Sequence, residues 1–72
     1  MHNNIATQVA EILRARGNKT IKAVFWNKDM GNFSIFLKGG ASFNYDPEPE
    51  EELEDITDAI ERRAQESADA GA

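Results

Sequence analysis

The sequence predicts an α+β domain ordered α-β-β-β-α, a three-stranded antiparallel sheet with two helices packed on one face. Three observations carry this reading. Apolar residues recur at helical spacing near both ends of the chain, three runs in the middle alternate with period two, and glycine-containing turn signals separate those runs. A chain of 72 residues has room for one core only. The domain is expected over residues 1–66, with 67–72 as a frayed tail.

The first helix is predicted from Asn4 to Arg16. Ile5, Val9, Ile12 and Leu13 fall on one stripe, while Thr7, Glu11 and Arg14 lie on the other side. Asn3 or Asn4 caps its start, Arg14 and Arg16 suit its last turn, and Gly17-Asn18 supplies the stop. Thr20 to Asn27 then alternates, with Ile21, Ala23 and Phe25 pointing one way and Lys22, Val24 and Trp26 the other. Lys28-Asp29-Met30-Gly31 reads as a tight connection, after which Phe33, Ile35 and Leu37 alternate with Ser34, Phe36 and Lys38. Gly39-Gly40 marks the next turn, and Ala41, Phe43 and Tyr45 alternate with Ser42 and Asn44 in a third strand. Asp46-Pro47-Glu48-Pro49 closes the sheet and opens the last helix, predicted to start between residues 47 and 50 with Asp46 or Glu48 as its cap. Leu53, Ile56, Ile60 and Ala64 form its inward stripe, opposite Glu51, Glu54, Asp55, Asp58 and Glu61.

The expected core is Ile5, Val9, Ile12, Leu13, Ile21, Ala23, Phe25, Phe33, Ile35, Leu37, Phe43, Leu53, Ile56 and Ile60. Both helices then cover the odd-numbered face of the sheet. The even-numbered face is left open, presenting Lys22, Val24, Trp26, Ser34, Phe36 and Lys38. Contiguous exposed apolar area tends to mark an interaction site, and homodimerisation is the first explanation in so small a chain.

Composition narrows the chemistry. With no cysteine there is no disulfide, Cys-based zinc site or Cys nucleophile, and the composition fits a reducing compartment. His2 is the only histidine, at the terminus and without a partner to orient it, and Ser34 and Ser42 have no base. The segment from Asn27 to Asn32 lacks the repeated acidic ligands of a calcium loop, and Gly39-Gly40 has no phosphate-binding motif around it. No enzymatic activity, cofactor or metal is expected. No apolar run approaches the ~18 residues of a membrane span, so no membrane association is expected and the cytoplasm is the default location.

Charge is divided along the chain. Residues 1–45 carry six basic side chains against Glu11 and Asp29, whereas residues 46–72 carry eleven acidic side chains against Arg62 and Arg63, and the net charge is −5. Such a single-sign field steers oppositely charged surfaces. Glu48, Glu51, Glu52, Glu54, Asp55 and Asp58 form the candidate acidic surface. Helical neighbours three and four apart lie about 5–6 Å apart at Cβ, a spacing comparable to that of backbone phosphates. Lys22, Lys28, Lys38 and Lys19 beside Trp26 and Phe36 suggest instead a platform for single-stranded nucleic acid.

The order of elements resembles the double-stranded-RNA-binding domain over nearly the whole chain. That family places a lysine-rich start of its final helix on phosphates, whereas the matching segment here is Pro47-Glu48-Pro49-Glu50-Glu51-Glu52, which would repel the duplex. In size, charge and element order the chain resembles the small acidic inhibitors of phages and mobile elements, including anti-CRISPR proteins. That resemblance implies a stoichiometric, non-enzymatic inhibitor of a nucleic-acid-handling protein or complex, with the acidic helix as a decoy for nucleic acid. The alternative is a small nucleic-acid-binding or homodimeric accessory domain that uses the Trp26 and Phe36 face.

Overall fold

The computed structural model describes residues 4–70. Its elements are α1 (Ile5–Ala15), β1 (Ile21–Asn27), β2 (Asn32–Leu37), β3 (Ser42–Tyr45) and α2 (Leu53–Ala70), the predicted α-β-β-β-α order. His2 and Asn3 lie outside the described residues.

Local chemistry explains most boundaries. The Asn4 side chain accepts a hydrogen bond from the Ala6 N–H at 2.8 Å, capping α1. At the other end the Asn18 N–H reaches the Leu13 carbonyl and the Gly17 N–H the Arg14 carbonyl, both at 3.0 Å. This paired closure requires a left-handed residue between helix and strand, and Gly17 supplies it at φ 74°. Asn18 then pins the exit, its Oδ1 accepting from the Thr20 and Ile21 N–H groups.

The strands form one antiparallel sheet in the order β1-β2-β3. Phe33, Ile35 and Leu37 of β2 are buried, and with Val9, Leu13, Ile56, Ile60 and Ala64 of the helices they make the core. Phe43 and Tyr45 pack against it from β3. Arg63 of α2 lies over the Phe43 ring, 4.8 Å from its centroid.

β1 departs from the predicted alternation. Ile21 pairs with Leu37 and Ala23 with Phe36, so two steps along β1 match one step along β2 and Lys22 is the extra residue of a β-bulge. Side-chain parity reverses at that point. Val24 pairs with Ile35 and Trp26 with Phe33, and both pack against the core, with the Trp26 ring 4.8 Å from that of Phe33. Phe25, expected in the core, is 55% exposed, and Ala23 pairs with outward-facing Phe36. Ile12 is half-buried, whereas Ala6 and Thr57, absent from the expected core, are buried. The Thr57 hydroxyl donates to the Leu53 carbonyl one turn back at 2.8 Å, which allows a polar residue there.

α2 begins at Leu53, three to six residues later than predicted. The residue before a proline is biased away from helical geometry, which restrains Asp46 and Glu48. A turn over Glu48–Glu51 intervenes, closed by the Glu51 N–H on the Glu48 carbonyl at 3.1 Å, and Glu52 provides the first helical acceptor, bonded by the Ile56 N–H at 2.9 Å. Neither Asp46 nor Glu48 is therefore the cap. At its far end α2 runs to Ala70, through much of the stretch expected to fray, because the alanines there are strong helix formers.

Candidate functional site

With both helices on one side, no element among the described residues covers the outer face of the sheet. By register it carries Ala23, Phe25 and Asn27 from β1, Asn32, Ser34 and Phe36 from β2, and Ser42 and Asn44 from β3. None of these residues is charged.

Two exposed aromatic rings dominate this face. Phe25 and Phe36 meet edge to face with centroids 5.6 Å apart, and Phe36 is 40% exposed. Such a pair is favourable but leaves a large part of both rings in water. Beside it lies a polar network. The Asn27 amide donates to Asn32 Oδ1 at 2.9 Å and to Ser34 Oγ at 2.6 Å, and the Asn44 amide donates to Ser34 Oγ at 3.0 Å and to the Phe33 carbonyl at 3.2 Å. These bonds hold the amides in place across all three strands. No buried side-chain nitrogen or oxygen lacks a partner among the described residues.

Of the residues predicted for this face, Ser34 and Phe36 occupy it. Val24 and Trp26 do not, since the bulge turns both toward the core. Lys22 is exposed at the bulge and Lys38 is exposed just past β2, so both cations flank the face. Phe25, Asn27, Asn32 and Asn44 were missed. The one sequence signal for Phe25 was its shared parity with Asn27, the first polar residue after Lys22.

The acidic surface is also partly rearranged. Glu51 is half-buried, accepting from the Tyr45 hydroxyl at 2.6 Å and from the Glu48 N–H at 3.0 Å. Burial, then the hydrogen bond to Glu51, pushes the Tyr45 phenol up to about 12. Asp58 and Glu61 share Arg16, whose Nη1 lies 2.7 Å from Asp58 Oδ1 and 2.6 Å from Glu61 Oε1. These two hydrogen-bonded carboxylates hold the guanidinium above its ordinary pKa. Asn18 completes the clamp, its amide donating to Glu61 Oε2 at 3.1 Å. The row therefore divides. Glu51 and Asp58 serve internal contacts, whereas Glu48, Glu52, Glu54 and Asp55, with Glu50, are exposed and have no ion pair among the described residues.

Among the described residues no three His, Cys, Asp or Glu side chains converge as a metal site, and no helix is long and apolar enough to cross a membrane. No protein-family profile, curated protein or solved structure matches this chain.

Proposed function

We propose that this chain is a non-enzymatic binding protein that docks through its uncovered sheet face onto a basic, nucleic-acid-handling protein or complex and inhibits it by occupancy. The exposed Phe25 and Phe36 pair carries the reading. Binding energy concentrates in aromatic anchors accompanied by polar contacts, and this face has an exposed aromatic pair, a hydrogen-bonded Asn/Ser network beside it, and no charged residue among those the register places there. Exposed carboxylates contribute chiefly to encounter rate and partner choice. Glu48, Glu50, Glu52, Glu54 and Asp55 accordingly steer the chain toward a basic surface, while the aromatic face holds it there.

Area argues for an interface larger than the sheet face. A three-stranded face about 14 Å wide and about 20 Å long projects about 300 Å², short of the ~800 Å² per partner of a stable interface. The partner must reach past the sheet.

The test is affinity capture of the tagged chain from lysate treated with nuclease, repeated with two variants. Phe25→Ala combined with Phe36→Ser should lose the captured protein, while Glu52→Lys, Glu54→Lys and Asp55→Lys together should slow association and weaken its salt dependence. Retention by the aromatic variant would remove the sheet face from the mechanism. The absence of any carboxylate on the face favours one second reading, a single-stranded nucleic-acid platform with Lys22 and Lys38 on phosphates. In that case nuclease would release everything captured.

A further inference from the structure

β1 lies at the edge of the sheet and, among the described residues, is paired only with β2. Along the outer side of such a strand, alternate residues present unpaired N–H and C=O groups, a template for another strand. Lysines and bulges commonly protect such edges, and here both sit at Lys22, near one end of the strand. The remainder from Val24 to Asn27 is regular.

Beside this edge, α1 and β1 enclose a groove of about 180 Å³, lined chiefly by Leu13, Arg14, Ile21, Lys22 and Val24. Drug-sized ligands need about 300–1,000 Å³, so the groove suits one or two side chains. Leu13, Ile21 and Val24 give it an aliphatic patch within a lining that is otherwise largely polar. Among the described residues its charged lining is Arg14 and Lys22, both exposed, while Glu61, which accepts from the Asn18 amide nearby, is already engaged by Arg16.

We propose that the cleft between α1 and the β1 edge binds an extended acidic peptide segment, which adds to the sheet beside β1, seats an aliphatic side chain in the groove and sets its carboxylates against Arg14 and Lys22. Strand addition takes affinity from main-chain hydrogen bonds and specificity from pockets that receive alternate side chains. The pocket adjoins the bulged end of β1 and meets the regular edge at Val24, and its charge selects the sign of the ligand. The chain's own acidic stretch, Asp46-Pro47-Glu48-Pro49-Glu50, is a poor occupant, because Pro47 and Pro49 have no N–H to give a ladder. This site is distinct from the Phe25 and Phe36 face and goes beyond the function proposed for it.

A display library of random peptides selected on the full chain tests the site, with amide chemical-shift mapping of an enriched peptide. Enriched sequences should alternate carboxylates with β-branched residues, and shifts should concentrate at residues 10–14 and 21–26. Arg14→Glu with Lys22→Glu, checked for folding by circular dichroism, should weaken binding about tenfold, equivalent to about 1.4 kcal/mol. Alternate N-methylation of the peptide backbone should weaken it as much, and Phe36→Ser should leave it unchanged. The proposal is overturned by a library that yields no enrichment, by enriched peptides without acidic residues, by full binding of the N-methylated peptide, or by β1 edges that instead pair two copies in solution. Loss of binding in Phe36→Ser would overturn it too, while leaving the sheet-face reading standing.

Discussion

Alanine at position 26 separates the bulged strand from a regular one. Trp26 is half-buried with its ring 4.8 Å from the fully buried Phe33. Complete burial of Trp makes its removal cost about 3–5 kcal/mol, and partial exposure reduces this to about 2–3 kcal/mol. A chain of this size has a total stability of about 4–11 kcal/mol, so the loss is a large share of the margin. At about 4–8 °C per kcal/mol, Trp26→Ala should lower Tm by about 10–20 °C. Phe25→Ala removes a ring that is 55% exposed and meets only the edge contact with Phe36 among aromatic partners, so it should cost about 0.5–1 kcal/mol. Urea and thermal unfolding followed by far-ultraviolet circular dichroism measures both, a probe that survives loss of the sole tryptophan. Equal costs, or a larger one for Phe25→Ala, would mean that β1 alternates without a bulge and that Phe25 belongs to the core.

Two further outcomes are expected. Tyr45, the only tyrosine, should titrate by ultraviolet difference absorbance near about 12, and Glu51→Gln should bring the midpoint down toward the ordinary 10.0. Because folding raises this pKa, the neutral phenol's contribution is complete below pH 10.0 and is lost as pH rises toward about 12. Unfolding midpoints should fall across that window in the wild type and remain flatter in Tyr45→Phe, and a wild-type titration centred on 10.0 would remove the Tyr45–Glu51 contact from the account. Arg16→Ala should release the tie between the end of α1 and α2, lowering Tm at low salt by an amount that shrinks in molar salt, since this is an exposed ion pair. A salt-independent loss would assign Arg16 a packing role instead.

Much of the architecture is legible because it rests on local rules. Asn4 caps and Gly17 stops α1 through groups within a few residues, and the stripes of both helices follow from spacing alone. Ser34 separates Phe33 from Ile35 in β2 and Asn44 separates Phe43 from Tyr45 in β3, so these four could be placed on the core side from parity. The start of α2 was less legible, because the two prolines permit either a first helical turn or the extended turn that the chain adopts.

The candidate surfaces depended on contacts between distant segments. From Ala23 to Trp26 β1 is apolar without interruption, so its pattern contains no information about which parity faces inward. That choice is made by pairing with β2, where the bulge at Lys22 lets Ile21, Val24 and Trp26 all reach the core and leaves Phe25 beside Phe36 outside. The acidic residues behave similarly. Spacing placed Glu51 and Asp58 in one row with Glu54 and Asp55, but the fold brings Tyr45 to the first and Arg16 to the second. The α-β-β-β-α order, the turns and the division of charge follow from local chemistry, because capping, backbone freedom and periodicity act over a few residues. Which aromatic rings face solvent and which carboxylates remain unpaired depends on the folded arrangement, because one extra residue in a strand reverses every side chain beyond it and an ion pair joins groups that are neighbours in space alone.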